Sequence, residues 1–529
     1  MKRIIFYLSI AILLFTAGSC NKSKLDLQNK SAYTYETYFA SDAVLNQAVV
    51  ATYATLLHEG LWSREYYFIF DLLGYEAKAD AALQGGLLAL AQYRFGADQG
   101  ELAKMWASFY RMIFRANVVI DRATLWQPET TTDEENKKQY IAEAKFLKAY
   151  ANFNLVNCYG RIPLRTSYET TIQNNYPSRS SVTDIWNAIE QDLTEAIIDL
   201  PVNYSNDKLG RATKGAAIAL LGKAYLYQKK WPQAQAQFTL LTQPPFNYSL
   251  ATNYLDLFST QNQSNTETIF QVMNQEWTDW GIGNQYYMFG GQEAWGGKAS
   301  HSGRAQEYGF NDWKNVFITT SAVNAFTYPN PVGGGDYKDP RAKFTFYGND
   351  ASGGQTQYCQ SCAGGIIPFD FTGSNGGYRW LKYQYYDKVE SYGGPQSGIN
   401  AQIIRYADVK LMLAEAYIQQ GITTEVPLGL INDVRIRAGA IPYGTLGDQT
   451  NAIKILMRER QLELCGEQSR YFDLIRWGIA KETINSLRAL EEPGQPLNPF
   501  KDKNILLPIP IDEKSTNPNV ANDIQDDWN

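Results

Sequence analysis

One short pattern constrains this chain more than any other. It reads Leu221-Gly222-Lys223-Ala224-Tyr225, then Ala234 nine residues beyond Tyr225, then Phe238. Thr213 suits the N-cap of a helix running to Gln228. Trp231-Pro232 opens a second helix, since proline is tolerated in a first helical turn. Gly222 and Ala234 let two antiparallel helices approach closely, and Tyr225 and Phe238 fill the groove beside them. Leu413-Ala414-Glu415-Ala416-Tyr417 repeats the first half and leads to a helix through Leu430 and Val434.

The pattern is similar to the tetratricopeptide (TPR) signature, and two copies about 190 residues apart predict a repeat scaffold with a large insertion. The fold class is therefore mainly α, a TPR-like helical-repeat scaffold with a long loop-rich insertion containing a few short strands. Helices fall at about 102–242 and 403–478. Trp106, Tyr110, Ile113 and Asn117 mark one from Leu102 to Ala123. Ala144, Leu147, Ala151 and Leu155 mark another over Tyr140–Cys158, stopped by Tyr159-Gly160. Ser181 or Thr183 suits the cap of a third, ending near Leu200. The insertion, about 244–400, is rich in Gly, Asn, Gln, Ser and aromatic residues. A loop-rich stretch of that length is functional or disordered, and its aromatic density argues for function.

Composition narrows the function. The 529 residues are 44% hydrophobic, enough for a sizeable core, and the net charge of −6 argues against nucleic acid. Only His58 and His301 are present, too few for a His-based zinc site or a Ser-His-Asp triad. The 12 Trp and 36 Tyr outnumber 24 Phe two to one, so most rings carry a polar handle suited to half-wet surfaces.

The N-terminus reads as an address. Lys2-Arg3 precedes an apolar run from Ile4 to Phe15, too short to span a bilayer. Ala17-Gly18-Ser19-Cys20 resembles a lipobox. The reading is a signal peptide over 1–19, a lipidated tether over 20–30 beginning at Cys20, and a single domain over 31–529. Cys158 and Cys465 lie in helical patterns as small buried side chains. Cys359 and Cys362 either form a local disulfide or remain thiols.

Three chemical motifs are set aside. Gly210-Arg-Ala-Thr-Lys-Gly215 has P-loop glycines, but Ala216-Ala217 stand where Lys and Ser/Thr must be. Arg458, Glu459, Arg460, Glu463, Arg470, Asp473 and Arg476 have the spacing of a structural ion-pair network. Glu276, Asp279 and Glu293 have nothing to mark them as a glycosidase pair.

Several blocks together resemble the SusD/RagB family of outer-membrane nutrient-binding lipoproteins. They include Trp106-x-x-x-Tyr110, Ala142–Tyr150, Tyr159-Gly160-Arg161-Ile162-Pro163-Leu164 and Gly210-Arg211-Ala212-Thr213. Asp339-Pro340-Arg341 and Lys382-Tyr383 fall in the insertion. The C-terminal blocks are Arg405-Tyr406-Ala407-Asp408, Ile431–Gly439, Arg458–Leu464, Arg470–Gly478 and Leu506–Pro510. The resemblance implies a TPR-like scaffold without catalysis or cofactor. It implies binding of oligosaccharide, or of peptide in some members, and delivery to a SusC-like TonB-dependent transporter. It further implies a lipid anchor and a place on the outer membrane, facing the cell exterior. A TPR-like protein-interaction scaffold and a glycan hydrolase are the remaining alternatives.

Sugars present C–H faces ringed by hydroxyls, so a binder needs flat rings and amide, carboxylate or guanidinium groups. Trp277, Trp280, Tyr286, Tyr287, Trp295 and Trp313, with Arg304, lie in a glycine-rich stretch that is not a helix face. The family places further contacts after its first helix, which points to Tyr75, Glu76 and Asp80.

Overall fold

A computed structural model describes residues 38–79, 85–168, 176–260, 262–274, 304–308, 315–347, 356–358, 366–368, 377–383, 398–492, 498–523 and 528. The longer helices are α1 (Asp42–Ala54), α2 (Glu65–Leu73), α3 (Gly85–Ala91), α4 (Gly100–Leu125), α5 (Thr131–Tyr159), α6 (Val182–Asp199), α7 (Lys214–Tyr227) and α8 (Trp231–Leu240). After the insertion come α9 (Tyr406–Gln419), α10 (Glu425–Arg437), α11 (Gln449–Glu463), α12 (Arg470–Arg476) and α13 (Ala480–Glu491).

Local chemistry sets several ends. Thr130, Ser181 and Thr213 each accept a hydrogen bond from the backbone N–H three residues on, capping α5, α6 and α7. Gly160 ends α5 with φ +66°, a conformation that favours glycine. Helix α5 starts nine residues before Tyr140, the start expected from its apolar stripe, because its first turns are polar all round and only Thr130 marks their start. Helices α1, α2 and α3 lie ahead of the region in which sequence periodicity is clear.

Neighbouring helices stack in order, α4 on α5, α5 on α6, α6 on α7 and α7 on α8. The stack then crosses the insertion, for α8 packs directly on α9, and α9 on α10 and α11. Gln420 Nε2, just past α9, donates to Gln235 Oε1 of α8 at 2.8 Å. One hydrophobic core runs from Leu56 to Val520.

Ten short strands pair two by two and antiparallel among the described residues. They are β1 (Ala77–Ala79), β2 (Thr268–Val272), β3 (Val316–Ile318), β4 (Thr327–Pro329), β5 (Asp336–Lys338), β6 (Phe346–Tyr347), β7 (Thr356–Tyr358), β8 (Ile366–Pro368), β9 (Arg379–Trp380) and β10 (Ala401–Arg405). The pairs are β1–β3, β2–β10, β4–β5, β6–β9 and β7–β8. The β2–β10 pair matches Val272 with Ala401 and Thr268 with Arg405, so the insertion leaves and returns through one neck. Phe270 of this neck meets Phe146 of α5 edge-on at 4.9 Å.

The charged C-terminal motif forms a buried network. Glu463, at the end of α11, accepts from Arg405 Nη1 at 2.6 Å, from Arg341 Nη1 at 3.2 Å and from Arg437. Arg341 also holds Asp339 and Glu459, and Arg405 also holds Glu267 and Glu467. The three guanidinium groups hold the Glu463 carboxyl far below the usual range, against the opposing effect of burial. Arg460 bridges Asp408 and Asp473 at 2.8 Å each, and Arg476 pairs with Glu415 and Asp473. These are scaffold ties, as the helical spacing of the charges predicts. Cys158 and Cys465 are free and buried.

Two predictions follow from this packing. A Cβ on Gly222 would lie 2.6 Å from Cε1 of Phe238, itself fully buried. Gly222→Ala is expected to destabilise by about 1–3 kcal/mol. In a denaturation double-mutant cycle with Phe238→Leu, the two losses should sum to more than the loss in the double variant. Independent effects would separate that ring from that glycine.

Glu463→Gln leaves three buried guanidinium groups short of one charge. It is expected to cost about 3–5 kcal/mol in chemical denaturation. The carboxyl's folded value is depressed, so its contribution is complete above about pH 4.3, the ordinary Glu value, and is lost as pH falls below it. The parent should therefore lose more stability than Glu463→Gln between pH 5 and 3.

Candidate functional site

The site is assembled from the floor upward. Helix α2, Glu-Tyr-Tyr-Phe-Ile-Phe-Asp-Leu-Leu, is buried on every side, so its single acid in the second turn, Asp71, needs partners inside the protein. It has three. Tyr308 Oη donates to it at 2.8 Å, Gln468 Nε2 at 2.9 Å and Arg304 Nη2 at 3.1 Å. Burial pushes the Asp71 carboxyl up, and Arg304 opposes that push. Arg304 and Tyr308 sit on a short helical turn, Arg304–Tyr308, at the end of the aromatic segment. The Tyr308 ring stacks on Phe68 of α2 at 5.6 Å, and the Arg304 guanidinium lies 3.9 Å over the Tyr383 ring.

The chain after α2 turns at Tyr75, with φ +57°, and enters β1. Strand β1 pairs with β3 in the register Ala77 with Ile318, Lys78 with Phe317 and Ala79 with Val316. Thr319 Oγ1 donates to the Tyr75 carbonyl at 2.9 Å, which fastens the turn to the end of β3. Two segments far apart in sequence thus meet. Asp80 follows directly on β1, and Trp313 lies three residues before β3.

The sequence-derived contacts fall into two groups. Arg304, Tyr75 and Glu76 are 5%, 4% and 2% exposed. The structure buries them and does not set them on an open face, and the side chain of each is engaged by the protein. Arg304 holds Asp71 and the Gly466 carbonyl, Tyr75 Oη reaches Glu492 at 3.4 Å, and Glu76 Oε2 accepts from Gly466 N at 2.9 Å. Burial pushes the Glu76 carboxyl up to about 8. Trp277, Trp280, Tyr286, Tyr287, Trp295, Trp313 and Asp80 lie outside the described residues, as do Cys20, Cys359, Cys362, Glu276, Asp279 and Glu293.

Sequence reasoning missed one ring of this strand pair. Phe317 is half-buried on β3, opposite the exposed Lys78, and the Arg379 guanidinium lies 4.0 Å over its ring. In the sequence it is one of three consecutive apolar residues, Val316, Phe317 and Ile318, which show no alternation. Among the described residues no group of three His, Cys, Asp or Glu could hold a metal ion.

Comparison with known proteins agrees with this architecture. The model of the SusD family matches residues 246–525, and a model described as starch-binding associating with outer membrane matches residues 25–226. SusD-like protein P25 of Formosa agariphila is 24% identical over 98% of this chain and 97% of its own length. A SusD superfamily protein from Bacteroides vulgatus superposes with a TM-score of 0.74 at 24% identity, covering 92% of this chain and 99% of that one. A laminarin-binding SusD-like protein gives 0.70 at 25% identity, covering 90% and 97%. The chain belongs to the SusD family, and its scaffold is the helical TPR-like fold of that family.

Proposed function

We propose that this protein binds oligosaccharide at the cell surface without transforming it, and delivers it to a partner TonB-dependent outer-membrane transporter. The observation that carries this reading is the meeting of two strands far apart in sequence, β1 and β3, which stand within three residues of Asp80 and Trp313 respectively. Strand β1 is paired with β3, and Asp71 holds the Arg304–Tyr308 turn that precedes β3 in sequence. A sequence rich in Trp, Tyr, Gly and amides, joined to a fixed strand pair, suits a ligand that offers flat C–H faces and many hydroxyls. The family description as starch-binding and the laminarin-binding neighbour support the carbohydrate class.

On this reading Trp277, Trp280, Tyr286, Tyr287, Trp295 and Trp313 form the platform, Asp80 its rim, and Arg304, Tyr75 and Glu76 its underside. Calorimetry on Trp277→Ala, Trp280→Ala and Trp295→Ala, singly and in pairs, tests it against malto- and laminari-oligosaccharides. Each lost ring should weaken binding by on the order of 1 kcal/mol, with circular dichroism unchanged. Folded variants that all bind as the parent does would move the platform elsewhere. Binding of peptides but of no glycan would change the ligand class, and turnover of the glycan would end the binding-protein reading.

Cys20 is the proposed point of attachment to the outer membrane. Cys20→Ala is expected to shift the protein from the membrane fraction to the soluble fraction. A variant as membrane-bound as the parent would remove lipid anchoring at this residue.

A further inference from the structure

Gly466 is held from every side. Its N–H donates to Glu76 Oε2 at 2.9 Å, and its carbonyl accepts from Arg304 Nη2 at 2.5 Å and Gln468 Nε2 at 3.1 Å. Its φ is +73°, and a Cβ there would lie 2.7 Å from Cζ3 of the fully buried Trp380. Glu76 is the other half of this contact. Its backbone carbonyl accepts from Thr319 N at 3.0 Å, and its side chain reaches down to Gly466. No ion pair to Glu76 occurs among the described residues, so a buried acid is satisfied there by a backbone N–H and not by a counter-charge.

We infer that Glu76 is a positioning residue for the oligosaccharide platform: it clips the entry of β1 onto Gly466, which in turn holds Arg304, so β1 and the Arg304–Tyr308 turn keep one relative placement. The inference rests on the site reading given above and adds a role for a residue that the ligand does not touch. Four charged or titratable side chains bear on the carboxyl. They are Asp71 from α2, Arg470 from α12, Lys382 just after β9, and Cys465 in the turn before Gly466. Lys382 is spent on Glu467 at 2.7 Å and on the carbonyls of Glu463 and Cys465. Asp71 opposes ionisation of its neighbour. Burial does so more strongly, and the carboxyl is neutral at pH 6.

The clip therefore has a pH signature. Once β1 opens, Glu76 returns to its ordinary value of about 4.3. Between that value and about 8 the clipped state keeps a proton that the opened state has lost. Its stability falls as pH rises through this window, by at most about tenfold per pH unit, and levels off above it.

Two measurements on the whole chain test this, and one needs no ligand. Hydrogen exchange at residues 77–79 and 316–318, corrected for the intrinsic rate, should lose protection in the parent between pH 5.5 and 8 by about tenfold or more. In Glu76→Gln, which keeps the acceptor but cannot ionise, protection should be level across the same range. The same pH trend in both proteins, or none in the parent, overturns the inference. The second measurement is binding of laminari- and malto-oligosaccharides at pH 6. Glu76→Gln should bind as the parent does and Glu76→Ala should bind at least several-fold more weakly. Equal affinity of the two variants also overturns it. If the exchange result holds while the parent binds neither glucan, the clip stands and the oligosaccharide reading falls.

Discussion

A carboxylate buried among three guanidinium groups joins the two halves of this protein. Glu463 belongs to the scaffold helix α11, Arg437 to α10, Arg341 to the insertion, and Arg405 to the neck strand β10. Five carboxylates, Glu267, Asp339, Glu459, Glu463 and Glu467, face five cations, Arg341, Lys382, Arg405, Arg435 and Arg437, in one connected set. Apolar packing of the same volume would often be as stable or more so. What the charges add is direction, because a bidentate guanidinium accepts a carboxylate in few orientations. The described base of the insertion, at Asp339, Arg341 and Lys382, is thereby set on the helices in one pose.

That pose reaches the floor of the site through a very short piece of chain. The end of α11 and the turn after it carry Glu463, Leu464, Cys465, Gly466, Glu467 and Gln468 in succession. Glu463 and Glu467 belong to the ion network, and Gly466 and Gln468 belong to the contacts under Arg304 and Asp71. Charge pairing in the scaffold and geometry under the loops are two ends of one six-residue segment, 463–468. A substitution that loosens the network acts on the floor without touching it.

Much of the scaffold was legible in the sequence, and the reasons are specific. The α7–α8 pair shows itself because two small residues and two rings sit at fixed spacing on amphipathic helices. Thr213 and Gly160 mark ends by their own chemistry. Helix α2 has no such mark, since a segment buried on all sides has no polar face to give it a period. The charged residues of α11 were recognisable as structural, but their partners in the insertion were not. Arg341 is 122 residues from Glu463 and meets it only because the chain folds back. The floor of the site was the least legible part. The pairing of β1 with β3 involves three residues on each side, too few for alternation to stand out. The same shortness hid the burial of Tyr75, Glu76 and Arg304, whose residue types alone suggested contact with a ligand.

The neck formed by β2 and β10 has a consequence for how such a chain diversifies. Residues 272 and 401 lie side by side, and α8 meets α9 as though nothing had been inserted between them. The entropy of closing a loop rises only with the logarithm of its length, about 0.6 kcal/mol for each doubling. Lengthening or reshaping the excursion beyond the neck therefore strains the scaffold little, provided the arginine contacts at its base persist. The fold behaves as a socket with an exchangeable head, in which new surface chemistry can be tried while the helices beneath keep their sequence and their packing.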